Sequence, residues 1–125
     1  ATNSALEIAS GDYIALMDDD DILTDDALYK VALAINKTKA DFIYSDEDKQ
    51  DMSGNLCEPH FKSDFAEHSL YGGNYICHFT VIKKSLLDEV GYFKDEFVGA
   101  QDFDLFLRAT EKAKSYSYQG VHSRR

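Results

Sequence analysis

Residues 12 to 21 read Asp-Tyr-Ile-Ala-Leu-Met-Asp-Asp-Asp-Asp, an apolar run that stops abruptly at four adjacent acids. A short, nearly continuous apolar run bounded by polar residues is typical of a buried strand. The sequence therefore predicts a buried strand over residues 12–17, with the carboxylates of Asp18, Asp19, Asp20 and Asp21 placed at its end.

Four adjacent carboxylates repel one another, by roughly 1 kcal/mol for each close pair in water and by more where solvent is excluded. A divalent cation removes this repulsion, and Mg²⁺ and Mn²⁺ prefer oxygen ligands. A solvated loop leading into the next helix explains the four acids equally well. Taken alone, they leave both interpretations open.

Short helices and strands alternate on both sides of this stretch. The spacing of apolar residues and the positions of helix caps and turn residues predict where they lie. Helices are predicted over 4–10, from Thr24 onward, and over 63–70, 85–91 and 101–113. The helix that begins at Thr24 has an apolar face formed by Leu28, Val31, Ala32 and Ile35. Further strands are predicted over 41–45 and 75–83, and a hairpin tip over 51–55. The order of strand, helix and strand predicts a parallel pair joined by a crossover.

Composition excludes several classes of protein. The chain has 125 residues, 44% of them hydrophobic, which predicts one domain with a real core. Its net charge of −10 argues against nucleic acid and against anionic membrane surfaces, because both require clustered Lys and Arg. The apolar runs are far shorter than the ~20 residues that span a bilayer, so no transmembrane segment is expected. Cys57 and Cys77 have no metal-ligand spacing and are predicted to be free thiols in a reducing compartment.

Four segments together resemble family 2 glycosyltransferases. Residues 1–23 are similar to the stretch that leads into the D-x-D motif of that family, and Ile43-Tyr-Ser-Asp-Glu-Asp-Lys49 is similar to the acidic segment one strand later. Asn74-Tyr-Ile-Cys-His78 resembles the acceptor-side segment, and Gly99-Ala-Gln-Asp-Phe-Asp-Leu105 resembles the segment that holds the catalytic base. One D-x-D motif is weak evidence, whereas four segments in matching order and spacing are specific.

The resemblance implies an α/β protein with part of a glycosyltransferase-A fold. This is a Rossmann-like, nucleotide-diphospho-sugar transferase fold, expected here to have a mixed, mostly parallel sheet flanked by helices. In such enzymes the D-x-D carboxylates hold Mn²⁺ or Mg²⁺ against the donor diphosphate, where the metal stabilises the departing nucleoside diphosphate. The family pattern puts the metal on Asp18 and Asp20 and the donor contacts on Asp18 and Asp19. Asp21 would cap or orient the next helix.

The resemblance also assigns a base and an acceptor side. Asp102 is the expected general base for the acceptor hydroxyl, at the first turn of a helix that would favour its ionised form. Many relatives have Glu-Asp where this chain has Gln101-Asp102, and the second residue is the one usually given the role of base. The expected acceptor-side residues are Asn74, His78, Gln101, Asp46 and Asp48. Without the family, the same residues are explained as helix N-terminal acids, a structural histidine and a solvated turn.

The implied function is metal-dependent, inverting transfer of a sugar from a nucleotide-sugar donor to a carbohydrate or glycolipid acceptor, in polysaccharide or glycoconjugate synthesis. Complete family members have upstream strands that hold most of the nucleotide. Residues 1–125 are therefore interpreted as a single, partial catalytic domain that lacks much of the donor pocket. The apolar edge thus exposed predicts a homo-oligomer. A cytoplasmic location is expected, with attachment to the inner face of the membrane through a longer parent protein.

Two other interpretations stay open at this point. The chain could be a non-catalytic acidic module that binds a metal or a sugar and self-associates. A phosphatase of the haloacid type is disfavoured because Asp21-Ile22 stands where Gly-Thr normally follows its D-x-D. His122 invites comparison with a late metal-binding histidine of some relatives, but its neighbours match poorly and it is left out of the site.

Overall fold

A computed structural model describes residues 2–97 and 99–124 of the chain, with the side chains of 2–97 and 99–117. The described residues form one six-stranded sheet with helices packed against it. The helices are α1 Thr2–Ile8, α2 Ala27–Thr38, α3 Glu67–Gly72, α4 Lys84–Val90 and α5 Gln101–Lys112, with a 3₁₀ turn at Asp95–Phe97; the strands are β1 Tyr13–Leu16, β2 Ile22–Leu23, β3 Phe42–Gln50, β4 Leu56–His60, β5 Thr80–Lys83 and β6 Tyr116–Arg124.

The central strand β3 is apolar at its start because both of its faces are covered. Successive side chains of a strand lie on opposite faces. Phe42 and Tyr44 belong to the core cluster that contains α4 and α5, whereas Ile43 belongs to the cluster that contains α2. The ring of Phe42 meets Phe106 of α5 edge to face with centroids 5.7 Å apart, a geometry worth about 0.5–1.5 kcal/mol beyond the buried area. The strand predicted over 41–45 is confirmed, and it continues to Gln50.

The strand directions differ from the mostly parallel sheet that was predicted. The strand order is β1-β5-β3-β6-β2, with β4 also paired to β3. Of the five pairings in the described residues, only β3 with β6 is parallel. β1 and β3 do run in the same direction, but β5 lies between them and is antiparallel to both. The physical reason is the long connection after β3, which includes β4 and α3 and lets the chain return in the opposite direction.

Helix α2 turns a different face to the sheet from the one predicted. Val31 is buried as expected, but Ala27 and Ala34 are the other buried residues of this helix. Leu28 is 65% exposed and Ala32 is also exposed. Small alanines allow the helix to approach the sheet closely, and the bulkier leucine is left on the outer face.

The strand predicted over 75–83 is only half formed, because β5 begins at Thr80 and the chain before it is a loop. Asn74 Oδ1 accepts the Cys77 backbone N–H at 3.2 Å, and the backbone of Cys77 is left-handed with a φ of 42°. Local side-chain bonds of this kind compete with the strand ladder. The loop keeps His78 outside the strand, two residues before its first residue Thr80.

The remaining elements agree more closely with the predictions. The hairpin tip over 51–55 joins β3 to β4, with the Asp51 N–H donating to the Asn55 carbonyl at 2.9 Å. The helices predicted over 85–91 and 101–113 are confirmed as α4 and α5, and the one predicted over 63–70 begins only at Glu67. Cys57 and Cys77 are free thiols, as predicted. Within the described residues, every helix is too short or too polar to cross a bilayer.

Candidate active site

The four acids after β1 form a tight turn. The Asp21 N–H donates to the Asp18 carbonyl at 3.3 Å. A turn of this type brings its first and last residues together and leaves the middle two at its tip. Accordingly Asp19 and Asp20 are exposed, whereas Asp21 is only 9% exposed. The structure thus brings Asp21, rather than Asp20, beside Asp18, and the metal role of Asp20 stays a prediction.

His78 lies against this turn from the loop before β5. Its Nε2 is 2.8 Å from Asp18 Oδ2. One ligand atom from each of Asp18, Asp21 and His78 lies within 4.8 Å of the other two, a spacing at which one metal ion could touch all three. The sequence singled out His78 for the acceptor side, but its observed neighbour is the proposed metal carboxylate.

Asp102 faces the same region from the first turn of α5. The pocket between the turn and α5 is lined by Thr2, Leu16, Met17, Asp18, Cys77, His78, Phe93, Gln101, Asp102 and Phe106. A second pocket shares Gln101 and Asp102 with the first and extends to Asn74. Two adjoining pockets therefore collect five of the residues that the sequence singled out, although they come from three distant segments of the chain.

The surroundings of Asp102 favour its protonated form. Burial raises the pKa of Asp102 above its ordinary value, and the nearby Asp18 carboxylate raises the pKa further, while His78 opposes the shift. The expectation that the helix terminus would favour the ionised form is therefore outweighed. Asp104, two residues on, has a different environment because its carboxylate accepts from Arg108 Nε at 2.9 Å. Arg108 also donates to backbone carbonyls around Gly91, so Asp104 forms part of a structural clamp.

The second acidic run, residues 46–48, lies in β3. Asp46 and Glu47 are 3% and 5% exposed. Asp46 Oδ1 accepts the backbone N–H of Lys62 at 2.6 Å, and Glu47 Oε2 is 3.7 Å from Lys62 Nζ. Asp48 is half-buried, and its backbone pairs with β6. Asp46 thus lies inside the fold, and the acceptor-side roles of Asp46 and Asp48 stay predictions.

Sequence reasoning missed Glu47 as an individual residue and Lys62 altogether. The side chain of Lys62 is fully buried, and its Nζ donates to the carbonyls of Ile76 and His78, the latter at 2.6 Å. Burial lowers the pKa of Lys62, and the Glu47 carboxylate opposes this shift. A lone lysine in a polar segment carries no sequence signal for burial.

These residues and this fold define a class of protein. The model of glycosyl transferase family 2 matches residues 1–91, and the chain belongs to that family. It is 49% identical over 115 residues to the uncharacterized protein y4gI of Sinorhizobium fredii, covering 91% of this chain and 13% of that protein. It is 34% identical to the O-antigen biosynthesis protein RfbC of Myxococcus xanthus, covering 94% and 9% of the two chains. With the uncharacterized glycosyltransferase YwdF of Bacillus subtilis the identity is 32%, covering 97% and 46%.

The solved structures that resemble this chain confirm the glycosyltransferase-A fold. TarS of Staphylococcus aureus superposes with a TM-score of 0.78 at 20% identity, covering 98% of this chain and 23% of that one. The 1–349 portion of TarS in complex with UDP-GlcNAc superposes with a TM-score of 0.76 at 19% identity, covering 98% and 37%. The chain thus spans less than half the length of each of these relatives.

Proposed function

We propose that residues 1–125 are part of one catalytic domain that transfers a sugar from a nucleotide-sugar donor to an acceptor hydroxyl, with inversion and with a divalent metal. Membership of family 2 supports sugar transfer. The related TarS structures were solved with UDP-GlcNAc and with UDP, which supports a nucleotide-sugar donor. The observation that carries the proposal is that Asp18 and Asp102 line one pocket although they come from opposite ends of the chain.

The donor atoms at the turn fit a divalent metal. Asp18, Asp21 and His78 offer two carboxylates and one imidazole, and Asp20 offers another carboxylate at the tip of the turn. A nitrogen ligand among oxygens suits Mn²⁺ better than Mg²⁺, which prefers an all-oxygen shell. When bound, the metal would supply Lewis-acid stabilisation of the leaving nucleoside diphosphate. Asp18 and Asp19 would contact the donor side of the same site.

Asp102 is proposed to take the proton of the acceptor hydroxyl as its oxygen attacks the anomeric carbon. Attack on the face opposite the leaving diphosphate gives inversion. The raised pKa of Asp102 makes it a stronger base than an ordinary aspartate once ionised. Gln101 and Asn74 line the adjoining pocket, where their amides could both donate and accept hydrogen bonds with the hydroxyls of a carbohydrate or glycolipid.

Self-association is proposed as a further property. β1 lies at one end of the described sheet order. An apolar groove beside it is lined by residues of α1 and β1 and by Met17, which follows β1; Leu6 and Ile14 are among them. An open strand next to apolar side chains is a surface that a second copy of this chain could cover.

Binding and turnover can be tested separately. Mn²⁺ should broaden the amide resonances of 18–21 and of His78 in NMR spectra of this chain, and Asp18→Asn should weaken that binding. Turnover should be measured on the longest polypeptide of the gene that contains this chain, with a panel of nucleotide sugars. Asp102→Asn should lower turnover by about 10² to 10⁴, the usual cost of losing a general base. Metal-dependent donor binding should be retained.

The matched control is Asp104→Asn, two residues away on the same helix and tied to Arg108. It should leave turnover close to that of the wild type once the folded fraction is taken into account. Near-normal turnover of Asp102→Asn would contradict the assignment of the base. Metal binding with no sugar transfer from any donor would favour a non-catalytic module that binds metal or sugar.

A further inference from the structure

A line of contacts runs from the interior of the sheet to the acidic turn. Glu47 Oε2 lies 3.5 Å from His78 Nδ1, and His78 Nε2 lies 2.8 Å from Asp18 Oδ2. Each ring nitrogen of His78 therefore faces a carboxylate. Because the imidazole is rigid, any group that fixes the direction of Nδ1 also fixes the direction of Nε2.

A cation at Asp18 would decide which form the ring takes. Without one, both carboxylates can only accept, so a proton on either nitrogen of His78 faces an acceptor. Once Nε2 binds a cation beside Asp18, the ring proton lies on Nδ1, on the side of Glu47. Histidines that bind metals commonly donate their other N–H to a carboxylate in this way, which raises their basicity as ligands and fixes the ring.

Lys62 holds this arrangement from the other side. Its Nζ lies 3.7 Å from the same Oε2 of Glu47 that faces His78, and its side chain is fully buried. A buried carboxylate is costly to ionise without such a partner. The same Nζ donates to the His78 carbonyl at 2.6 Å. Lys62 therefore stabilises the charge of Glu47 and the backbone of His78 together.

We propose that Glu47 is a positioning residue for the metal site, acting through His78, with Lys62 as its support. This inference rests on the proposed function, since it requires a divalent cation at Asp18 and His78. Glu47 itself lies in β3 and reaches the site through the imidazole. Its loss should change how well the site binds a metal, while the turn that carries Asp18 stays in place.

The chain contains its own control for this proposal. His60 also contacts Glu47, with Nδ1 3.3 Å from the other carboxylate oxygen, Oε1. Its side chain is 46% exposed, and it lies on β4, whereas His78 is on the loop beside Asp18. His60→Gln thus removes one contact of the same carboxylate without touching the proposed metal ligands.

The experiment compares Glu47→Gln, His60→Gln and the wild type by Mn²⁺ titration of this chain. The proposal expects Glu47→Gln to bind Mn²⁺ about 10- to 100-fold more weakly, the range typical for residues that support a metal ligand. His60→Gln should bind like the wild type. Equal affinity of Glu47→Gln and the wild type, or equal losses in both variants, would overturn the proposal.

A second measurement uses the wild type alone and so does not depend on how well a variant folds. Long-range ¹⁵N–¹H spectra of the chain saturated with diamagnetic Zn²⁺, which accepts imidazole ligands, report which nitrogen of His78 carries the proton. A proton on Nδ1 is expected, and a proton only on Nε2 would overturn the proposal. If the wild type binds no Mn²⁺ at the turn, the proposed function fails first. If it binds and Glu47→Gln binds equally well, only the role of Glu47 fails.

Discussion

The two acidic runs of this chain look alike in sequence and differ in structure. Both follow an apolar strand segment, at residues 18–21 and 46–48. The first forms a largely exposed turn beside a pocket, and the second continues inside β3, where it contacts the buried Lys62. An acidic run that has a lysine inside the fold already holds the cation that it requires. A run that lines a pocket leaves its negative charge available to a ligand that binds in that pocket.

The largest expected effect is on the free energy of unfolding, which should depend strongly on the second run and hardly on the first. Glu47→Ala breaks the buried ion pair with Lys62 and should cost about 3–5 kcal/mol of unfolding free energy. Asp18→Ala removes a side chain that is 54% exposed and should change that free energy by no more than about 0.5 kcal/mol. Urea denaturation followed by circular dichroism measures both. Similar losses in the two variants would show that the runs do not differ as the structure indicates.

An intermediate effect is on the affinity for Mn²⁺ relative to Mg²⁺, which should depend on the site at the first run and not on the second run. His78→Ala should lower Mn²⁺ affinity by about 100-fold, or about 2.8 kcal/mol, at the upper end of the loss expected for Glu47→Gln. Mg²⁺ affinity should change little, because Mg²⁺ is bound through oxygens. Asp48→Asn, in the second run, should alter neither affinity. Calorimetric titration with each ion tests this, and a parallel loss for both ions in His78→Ala would argue against a direct nitrogen ligand.

The first run could be predicted from sequence because its signal is local. An apolar strand ended by acids fixes where the carboxylates lie, and the structure confirms a strand up to Leu16 followed by the acids, although its four residues are half-buried or exposed and not buried as predicted. Which carboxylates meet depends on the turn between Asp18 and Asp21, whose hydrogen bond has no sequence motif among four identical residues. The pattern therefore predicted where the carboxylates lie, and it assigned Asp20 to the place beside Asp18 that Asp21 takes in the structure.

The second run could not be predicted because its environment comes from distant residues. β3 continues past its apolar start because β4 and β6 pair with its later half. Lys62 contacts Glu47 from the segment after β4, and His78 contacts it from the loop before β5. Residues 75–79 of that loop are rich in β-forming residues and were therefore predicted to be part of a strand. The position of β5 between β1 and β3 is likewise set by tertiary pairing. Because the sequence does not show this pairing, the prediction of a mostly parallel sheet was wrong.

The smallest expected effect concerns Asp102, which shares the pocket with the first run. Its pKa in the folded chain is raised above the ordinary value of 3.8 by burial and by Asp18. The folded chain therefore holds this proton more tightly than the unfolded chain does, so stability is lost as pH rises from 3.8 through the folded pKa.

Asp102→Asn removes this loss. The variant should melt slightly higher than the wild type near pH 7 and at the same temperature near pH 3, where both states of Asp102 are protonated. The shift should be small because Asp102 keeps much of its contact with solvent. Thermal denaturation at the two pH values checks this. An equal shift at both would mean that the substitution acts through packing or helix propensity, and that the charge of Asp18 does not reach Asp102 across the pocket.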